Sequence, residues 1–451
     1  MTRIEKDNLG ELKIDDNKYY GIHTLRALSN FKISDRTTDL DLIKSIIIIK
    51  KVAAATNQEL FLLPKEKAAA ISKACDTLTV DSVNFPLDAM QGGAGTSTNM
   101  NVNEVIANYA LEILGEKKGE YQKLHPIHDI NKNQSTNDVY PTALRVTVLQ
   151  KLAVLSDRIA ALQGVLQRKE KEFSKVVKIG RTELQDAVPI TLGREFAAFA
   201  EAIARDRWRV FKSEERLRML NLGGTAVGTG LSAPREYIFE VTNKLRLETG
   251  LAIARSENLM DATANNDDLI EVGGMLGAHA NNLIKISEDL RKMNMIGEIS
   301  LPKRQAGSSI MPGKVNPVLV EAAIQAGIKV FANINAMRDA VSRSTFQICE
   351  FMPLVADSIL ESLNILIKIN SLLIGYFKDI NANEKKCYEI FSNSESLITI
   401  FIPDFGYEKC EQILKNFGGG NFIEFLRQEL GQELVDIKTK PESLNSLGYK
   451  I

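Results

Sequence analysis

Residues 142–167 read TALRVTVLQKLAVLSDRIAALQGVLQ, and within them Val148, Leu152, Leu155, Ile159, Leu162 and Leu166 recur at alternating spacings of four and three. That period sets all of them on one face of an α-helix. At 1.5 Å per residue such a helix runs on the order of 40 Å, too long for a compact single domain to cover. Other long helices must line its seam. A similar stripe, Phe196, Phe199, Ile203, Val210 and Leu217, marks a helix over 192–220, and a further one is expected over 267–295. Pro317 opens another, since its missing N–H costs little at a helix start, and the pattern continues from Val318 to about Ala340. Strands are scarce: only 175–179 and short pieces of the first hundred residues look extended. The expectation is a mainly α fold whose long-helix bundle is completed by other subunits. An α-solenoid is disfavoured, because no repeat with a period of roughly 20–50 residues is present.

With 451 residues the chain has room for about three domains. Boundaries are expected where a polar run meets the first long helix near 137–141, and near 391–396. Beyond the second, Pro403, Gly406 and Gly418-Gly419-Gly420 break the helical pattern. This gives an N-terminal domain (1–138), a central helical domain (139–392) and a small C-terminal domain (393–451). Lys plus Arg number 56 against 57 Asp plus Glu, so no net field favours nucleic acid or an anionic membrane. A small anionic substrate must then be held locally. Cys75, Cys349, Cys387 and Cys410 lie far apart with no Cys-x-x-Cys pair, which argues against zinc or a disulfide framework and fits a reducing cytoplasm. The first residues carry charge where a signal peptide needs an apolar core. The apolar run Ile43–Ile49 is interrupted by Lys44 and falls short of the roughly 20 residues of a membrane span.

Function is most legible in residues 307–316, Gly-Ser-Ser-Ile-Met-Pro-Gly-Lys-Val-Asn. Two hydroxyls, one ammonium and one amide sit in a frame of Gly, Pro and Gly that suits a loop closing over an anion. Beside a deprotonated serine, a lysine can hold the charge that builds on a carboxylate when the neighbouring carbon loses a proton. That is elimination chemistry; the plain alternative is a surface loop. Four more polar segments share this character: 92–103, 131–138, 180–189 and 223–230. The first could be an anion nest or an N-cap region, the second an Asx or ST turn. Segment 223–230, Gly-Gly-Thr-Ala-Val-Gly-Thr-Gly, lacks the Gly-Lys-Ser/Thr ending and preceding strand of a phosphate loop.

Taken together these segments resemble the aspartase/fumarase superfamily, and within it the aspartate ammonia-lyases. Residues 307–316 match its signature loop, and 92–108, 134–142 and 180–193 its other active-site regions. Arg3-Ile4-Glu5, Tyr19-Tyr20-Gly21-Ile22-His23-Thr24 and the Gln305-Ala306 lead resemble the aspartase side. The resemblance covers roughly residues 1–410. It implies a three-domain fold, a cytoplasmic homotetramer whose active sites are each shared among three chains, and cofactor-free, metal-free, reversible deamination of L-aspartate to fumarate.

The resemblance also implies roles. Ser308 is the general base, and its pKa must be depressed by neighbouring N–H groups, since a bare serine is too weak. Thr96, Ser135, Thr136 and Ser309 contact the carboxylate beside the abstracted proton; Thr182, Lys314 and Asn316 clamp the other; Asn137 meets the amino group. His125, His128 and His279 match no role and are read as structural or surface histidines. Three departures stand out. Glu183 occupies a position where much of the family has His and some aspartases Gln; it faces a family glutamate that corresponds to Glu321, and two facing carboxylates cannot both ionise cheaply. Segment 290–301 is shortened where the family carries a Gly-Pro-Arg turn, so loop support is expected to differ. Cys349 replaces a usual Asn, and the tail after Tyr407 is short. The alternatives are a related C–N lyase acting on a modified or more cationic amino diacid, a fumarate hydratase, and a catalytically silent structural homologue.

Overall fold

The computed structural model describes residues 2–448; Met1 and 449–451, at the ends of the first and third expected domains, lie outside the described residues. The chain forms two compact units. The first comprises residues up to Leu155, Arg209–Gly277 and Lys329–Ile365; the second comprises Ser156–Trp208, Ala278–Ile328 and the residues from Leu366 onward. Every change from one set to the other falls inside one of the five longest described helices, Thr136–Glu172, Leu192–Arg216, Asp267–Ile296, Val318–Val341 and Met352–Lys378.

The seam helix is longer than its apolar pattern, spanning 37 residues, Thr136–Glu172. All six seam residues are fully buried, each contributing about 1.5–3 kcal/mol of transfer free energy. The early start follows from a capping box: Ser135 Oγ accepts from Asn137 N at 3.2 Å, and Asp138 Oδ1 accepts from Ser135 N at 3.0 Å. Pro141 sits inside the helix and cannot donate to the carbonyl of Asn137. Asn221 Nδ2 supplies that bond instead, at 2.9 Å.

The other long helices start where expected, at Leu192, Asp267 and Val318. The second ends at Arg216 rather than near Leu220, because Met219–Leu220 leaves as a short strand pairing in parallel with Ala254–Arg255. Two of the long helices, Leu40–Glu59 and Met352–Lys378, are not among those expected from the sequence, nor are several shorter ones. Leu40–Glu59 contains the run Ile43–Ile49, and its buried residues lie all round it, which blurs any periodicity; Asp39 caps it by accepting from Asp41 N. Met352–Lys378 and Val318–Val341 are both long and apolar enough to cross a membrane by composition, yet only 50% and 28% of their most apolar windows are buried within one chain.

Strands are few and paired in twos. Thr2–Asp7 pairs antiparallel with Gly10–Asp15, as does Val177–Thr182 with Gln185–Thr191. The last strand takes in the second half of 180–189, a segment whose polar residues suit a loop; it accommodates Pro189 because a two-stranded ribbon has only edge strands, where proline is tolerated. In the first unit the buried carboxylates of Glu104 and Glu5 take the backbone N–H groups that begin helix Ile22–Asn30. Glu104 accepts from Gly21 and His23 at 2.8 Å, and Glu5 from Ile22 at 2.9 Å. The opening residues that carry the family resemblance thus tie hairpin, first helix and helix Thr96–Ile113 together. In the second unit Phe391, Leu397, Phe401, Phe422, Leu426 and Val435 pack with Ile179 into a separate apolar cluster.

Candidate active site

In the first unit, Thr96 is the first residue of helix Thr96–Ile113, and Gly95 before it adopts φ +90°. A Cβ on Gly95 would lie 2.4 Å from the Tyr140 ring, so both backbone and packing demand glycine here. The asparagines of this region do not cap the helix. They lie buried within it, and Asn99 Nδ2 reaches Thr136 Oγ1 and Asn131 Oδ1, each at 3.2 Å. Asn137 Nδ2 donates to Ala226 O at 2.7 Å, leaving its own oxygen as an acceptor. The glycine-rich loop 223–230 is no phosphate cradle: the N–H groups of Gly223 and Thr225 are taken by Asp138 Oδ2 at 3.1 and 3.0 Å. Burial pushes the Asp138 carboxyl up to about 6, against the pull of these donors.

Beneath this segment lies Lys50, a residue that the sequence reading did not single out. Its fully buried ammonium donates to Asn131 Oδ1 at 2.8 Å and Gln134 Oε1 at 2.9 Å, with no carboxylate among the described residues in ion-pair contact. Desolvation lowers its pKa to about 7. Lys50 therefore anchors the strip leading into Ser135, Thr136 and Asn137. A lysine ending an isoleucine run was the only signal, and it reads equally well as a helix end.

In the second unit, Thr182 and Gln185 close the Val177–Thr182/Gln185–Thr191 hairpin, with Glu183 and Leu184 as its two-residue turn. Their φ values, 51° and 64°, have the sign that a type I′ turn requires at both central positions. Asn-Gly is the usual choice there; Glu-Leu adopts it only with strain. Thr182, Glu183 and Leu184 are exposed, and among the described residues Glu183 makes no ion pair. Glu321 lies 3.9 Å from Arg291 Nη2.

The loop holding the remaining expected residues leaves strand Ile299–Ser300 and ends at helix Val318–Val341. Ser308 Oγ accepts from two backbone N–H groups, Met311 at 2.9 Å and Ile310 at 3.2 Å. Gly307 N donates to Lys314 O at 2.8 Å, and Asn316 Nδ2 to Gly307 O at 3.0 Å, so the loop is closed on itself. Ser309 and Lys314 are exposed. A recess of about 290 Å³ opens at the loop's root, lined by Asn294, Ser300, Lys303, Asn316 and Tyr376 among others. The shortened segment before the loop proves to be a helix end. Glu298 N donates to Met293 O and Gly297 N to Asn294 O, a Schellman motif with Gly297 at φ +90°.

The expected residues thus fall into two sets. Thr96, Ser135, Thr136 and Asn137 belong to the first unit; Thr182, Glu183, Ser308, Ser309, Lys314, Asn316 and Glu321 belong to the second. Two of the three histidines serve structure, His125 Nδ1 capping Pro126–Ile130 by accepting from Ile127 N and His279 lying wholly buried between Asp206 and Asn370, while His128 is exposed at the surface. Among the described residues no group of His, Cys, Asp and Glu is arranged to hold a metal ion.

Residues 10–332 match a family described as lyase. The chain is 43% identical to an aspartate ammonia-lyase of a Bacillus species over 92% of its own length and 90% of the relative's. The fold superposes on a fumarate lyase:delta crystallin of Brucella melitensis, crystallised with cobalt, with TM-score 0.95, 39% identity and coverage of 99% and 100%. A class II fumarase of Schistosoma mansoni gives TM-score 0.90 at 31% identity, with 98% of each chain covered.

Proposed function

The chain belongs to the aspartase/fumarase superfamily of lyases, and from that footing we propose that it is an aspartate ammonia-lyase, converting L-aspartate reversibly to fumarate and ammonia without a cofactor. The observation that carries this reading is the pair of N–H groups on Ser308 Oγ. Two donors fixed by one short loop favour the oxyanion over the hydroxyl, which is what a serine needs to act as base.

In the proposed reaction the Ser308 oxyanion takes a proton from the carbon next to one carboxylate. The released electron pair moves into that carboxylate as an aci-form, then returns as a carbon–carbon double bond while ammonia departs. Thr96, Ser135, Thr136 and Ser309 bind the carboxylate on which charge grows; Thr182, Lys314 and Asn316 hold the other. The free oxygen of Asn137 suits an ammonium donor. Asn316 Nδ2 spends one N–H on Gly307 O and keeps the second for the carboxylate it clamps. Glu321 supports the site beside Arg291.

The same reading includes a homotetramer whose sites draw residues from three chains, located in the cytoplasm. Exposed Trp208 (64%), Phe211 (52%), Ile328 (58%) and Leu372 (52%) on the long helices support assembly, because a lone chain leaves these apolar groups in water. It also includes the three-part division of the chain at 138/139 and 392/393, supported by the helix start at Thr136 and the separate apolar cluster of the C-terminal residues.

A second reading, a C–N lyase for a modified or more cationic amino diacid, is favoured by one observation: the carboxylate of Glu183, exposed at a turn tip and without an ion pair among the described residues. Purified protein should therefore be followed by fumarate absorbance with aspartate, then with malate and a panel of amine-substituted diacids. Turnover of aspartate above the rest supports the proposal. A preference for a substituted amine moves the substrate, malate alone makes it a hydratase, and silence with every diacid leaves a structural homologue.

A further inference from the structure

Glu298 is the last residue before the short strand from which the Ser308 loop departs, and it is completely buried. Its carboxylate is gripped from one side only. Arg181 Nη1 donates to Oε1 at 2.7 Å, and Lys178 Nζ lies 2.8 Å from Oε2. Both cations come from strand Val177–Thr182, which ends in the Thr182-Glu183 turn. Lys178 and Arg181 are three residues apart, so in a regular strand they would point to opposite faces. The pairing register shifts between Ile179 and Arg181, where Gly180 alone stands opposite Ala187 and Val188 of the partner strand; a bulge of this kind strengthens the local twist, and across it Lys178 and Arg181 both reach Glu298.

The other contacts of Glu298 fix its backbone. The Schellman end of helix Asp267–Ile296 sets its N–H, and its carbonyl accepts from Asn383 N at 2.8 Å and Cys387 Sγ at 3.3 Å. Lys178 is shared with Glu195, and Arg181 also reaches Asp186, at 3.3 Å. A carboxylate so deeply buried is retained at a desolvation cost that helical packing alone does not require. Its one geometric effect is to join the root of the loop bearing Ser308, Lys314 and Asn316 to the strand bearing Thr182 and Glu183.

We propose that Glu298 is a positioning residue for the reaction: through Arg181 and Lys178 it registers the Thr182-Glu183 turn against the Ser308 loop. This rests on the lyase reading for its kinetic consequence but not for its structural one. Glu298 touches no substrate, so its loss acts on the geometry reached in the transition state rather than on binding.

The test is Glu298→Gln in the full assembled protein, a change that keeps shape and one acceptor. Turnover number should fall about 10- to 100-fold with KM for aspartate changed less than about threefold, the pattern expected when catalytic groups are displaced by a fraction of an ångström. Amide hydrogen exchange should quicken together in residues 182–186 and 301–317, while helix Thr96–Ile113 keeps its protection. Adding Lys178→Met to Glu298→Gln, which removes the buried cation that Glu195 alone would then have to neutralise, should restore stability but not turnover. A Glu298→Gln protein that melts lower yet keeps wild-type turnover and unchanged exchange at 182–186 overturns the inference. If the wild type turns over no diacid, the functional proposal fails, and hydrogen exchange alone decides this one.

Discussion

The carbonyl oxygen of Asn137 accepts from Asn221 Nδ2 at 2.9 Å, the hydrogen bond that Pro141 withholds from it. Asn221 is 1% exposed, donates also to Thr263 Oγ1 at 3.0 Å and accepts from Thr142 at 3.2 Å. Asn221→Ala would strand these buried groups and cost about 1–3 kcal/mol of stability. Because Thr136 and Asn137 form the helix turn concerned, turnover should drop as well, well below the melting temperature. Urea denaturation and steady-state rates check this; an unchanged midpoint would show that the helix tolerates an orphan carbonyl.

The Glu183-Leu184 turn carries removable strain. Leu184 is 71% exposed in the chain, so Leu184→Gly forfeits little packing. Left-handed backbone costs a leucine about 1–2 kcal/mol, and glycine returns roughly half of that gain as chain entropy. Net stabilisation of about 0.5–1 kcal/mol is expected in denaturant titration. Destabilisation instead would mean that the leucine side chain is covered in the assembled protein.

Lys50 gives stability a pH dependence whose sign is fixed. Burial holds its pKa at about 7 in the folded chain, below the ordinary lysine value. Between these values the unfolded chain binds the extra proton, so stability rises with pH across that window, and the penalty is fully present below about 7. Replacing Lys50→Met removes the effect. The gain of the variant over wild type should be larger at pH 6.5 than at pH 9.5, by ~3 kcal/mol. A pH-independent difference between the two proteins would show that the ammonium keeps an ordinary pKa.

Glu183→Gln asks what the exposed carboxylate reads. If the position merely tolerates variation, aspartate turnover should persist or rise modestly, within about threefold, since no hydrogen bond of this carboxylate is present among the described residues. Selective loss of one amine-substituted substrate across the panel would show instead that the carboxylate recognises the amine.

Much of this arrangement was legible before any coordinates, for reasons tied to particular residues. The seam from Val148 to Leu166 announced a long buried helix because its neighbours cover only one face, and the hydroxyl-rich segments announced the stretches on which the proposed site draws. Leu40–Glu59 stayed hidden because burial on all sides erases the period on which such reading depends. Gln185–Thr191 stayed hidden because Pro189 and exposed polar residues suit an edge ribbon as well as a loop. Glu298 and Lys50 could not be found from spacing: each acts through partners more than 80 residues away in sequence, and only folding brings those partners together. The depressed pKa demanded of Ser308 was foreseeable in principle, but the two N–H groups on its oxygen follow from backbone turns that residue types alone do not specify.

The central claim is that the Ser308 oxygen removes the proton from carbon, and the most direct measurement is fumarate formation from L-aspartate by wild type and Ser308→Ala at equal concentration. Turnover should fall by about 10²–10⁴-fold or more in the variant, with melting temperature and oligomeric state unchanged, because this partly exposed side chain supports only its own loop. Substantial residual turnover in a properly assembled Ser308→Ala protein would contradict the account, since some other group would then be the base.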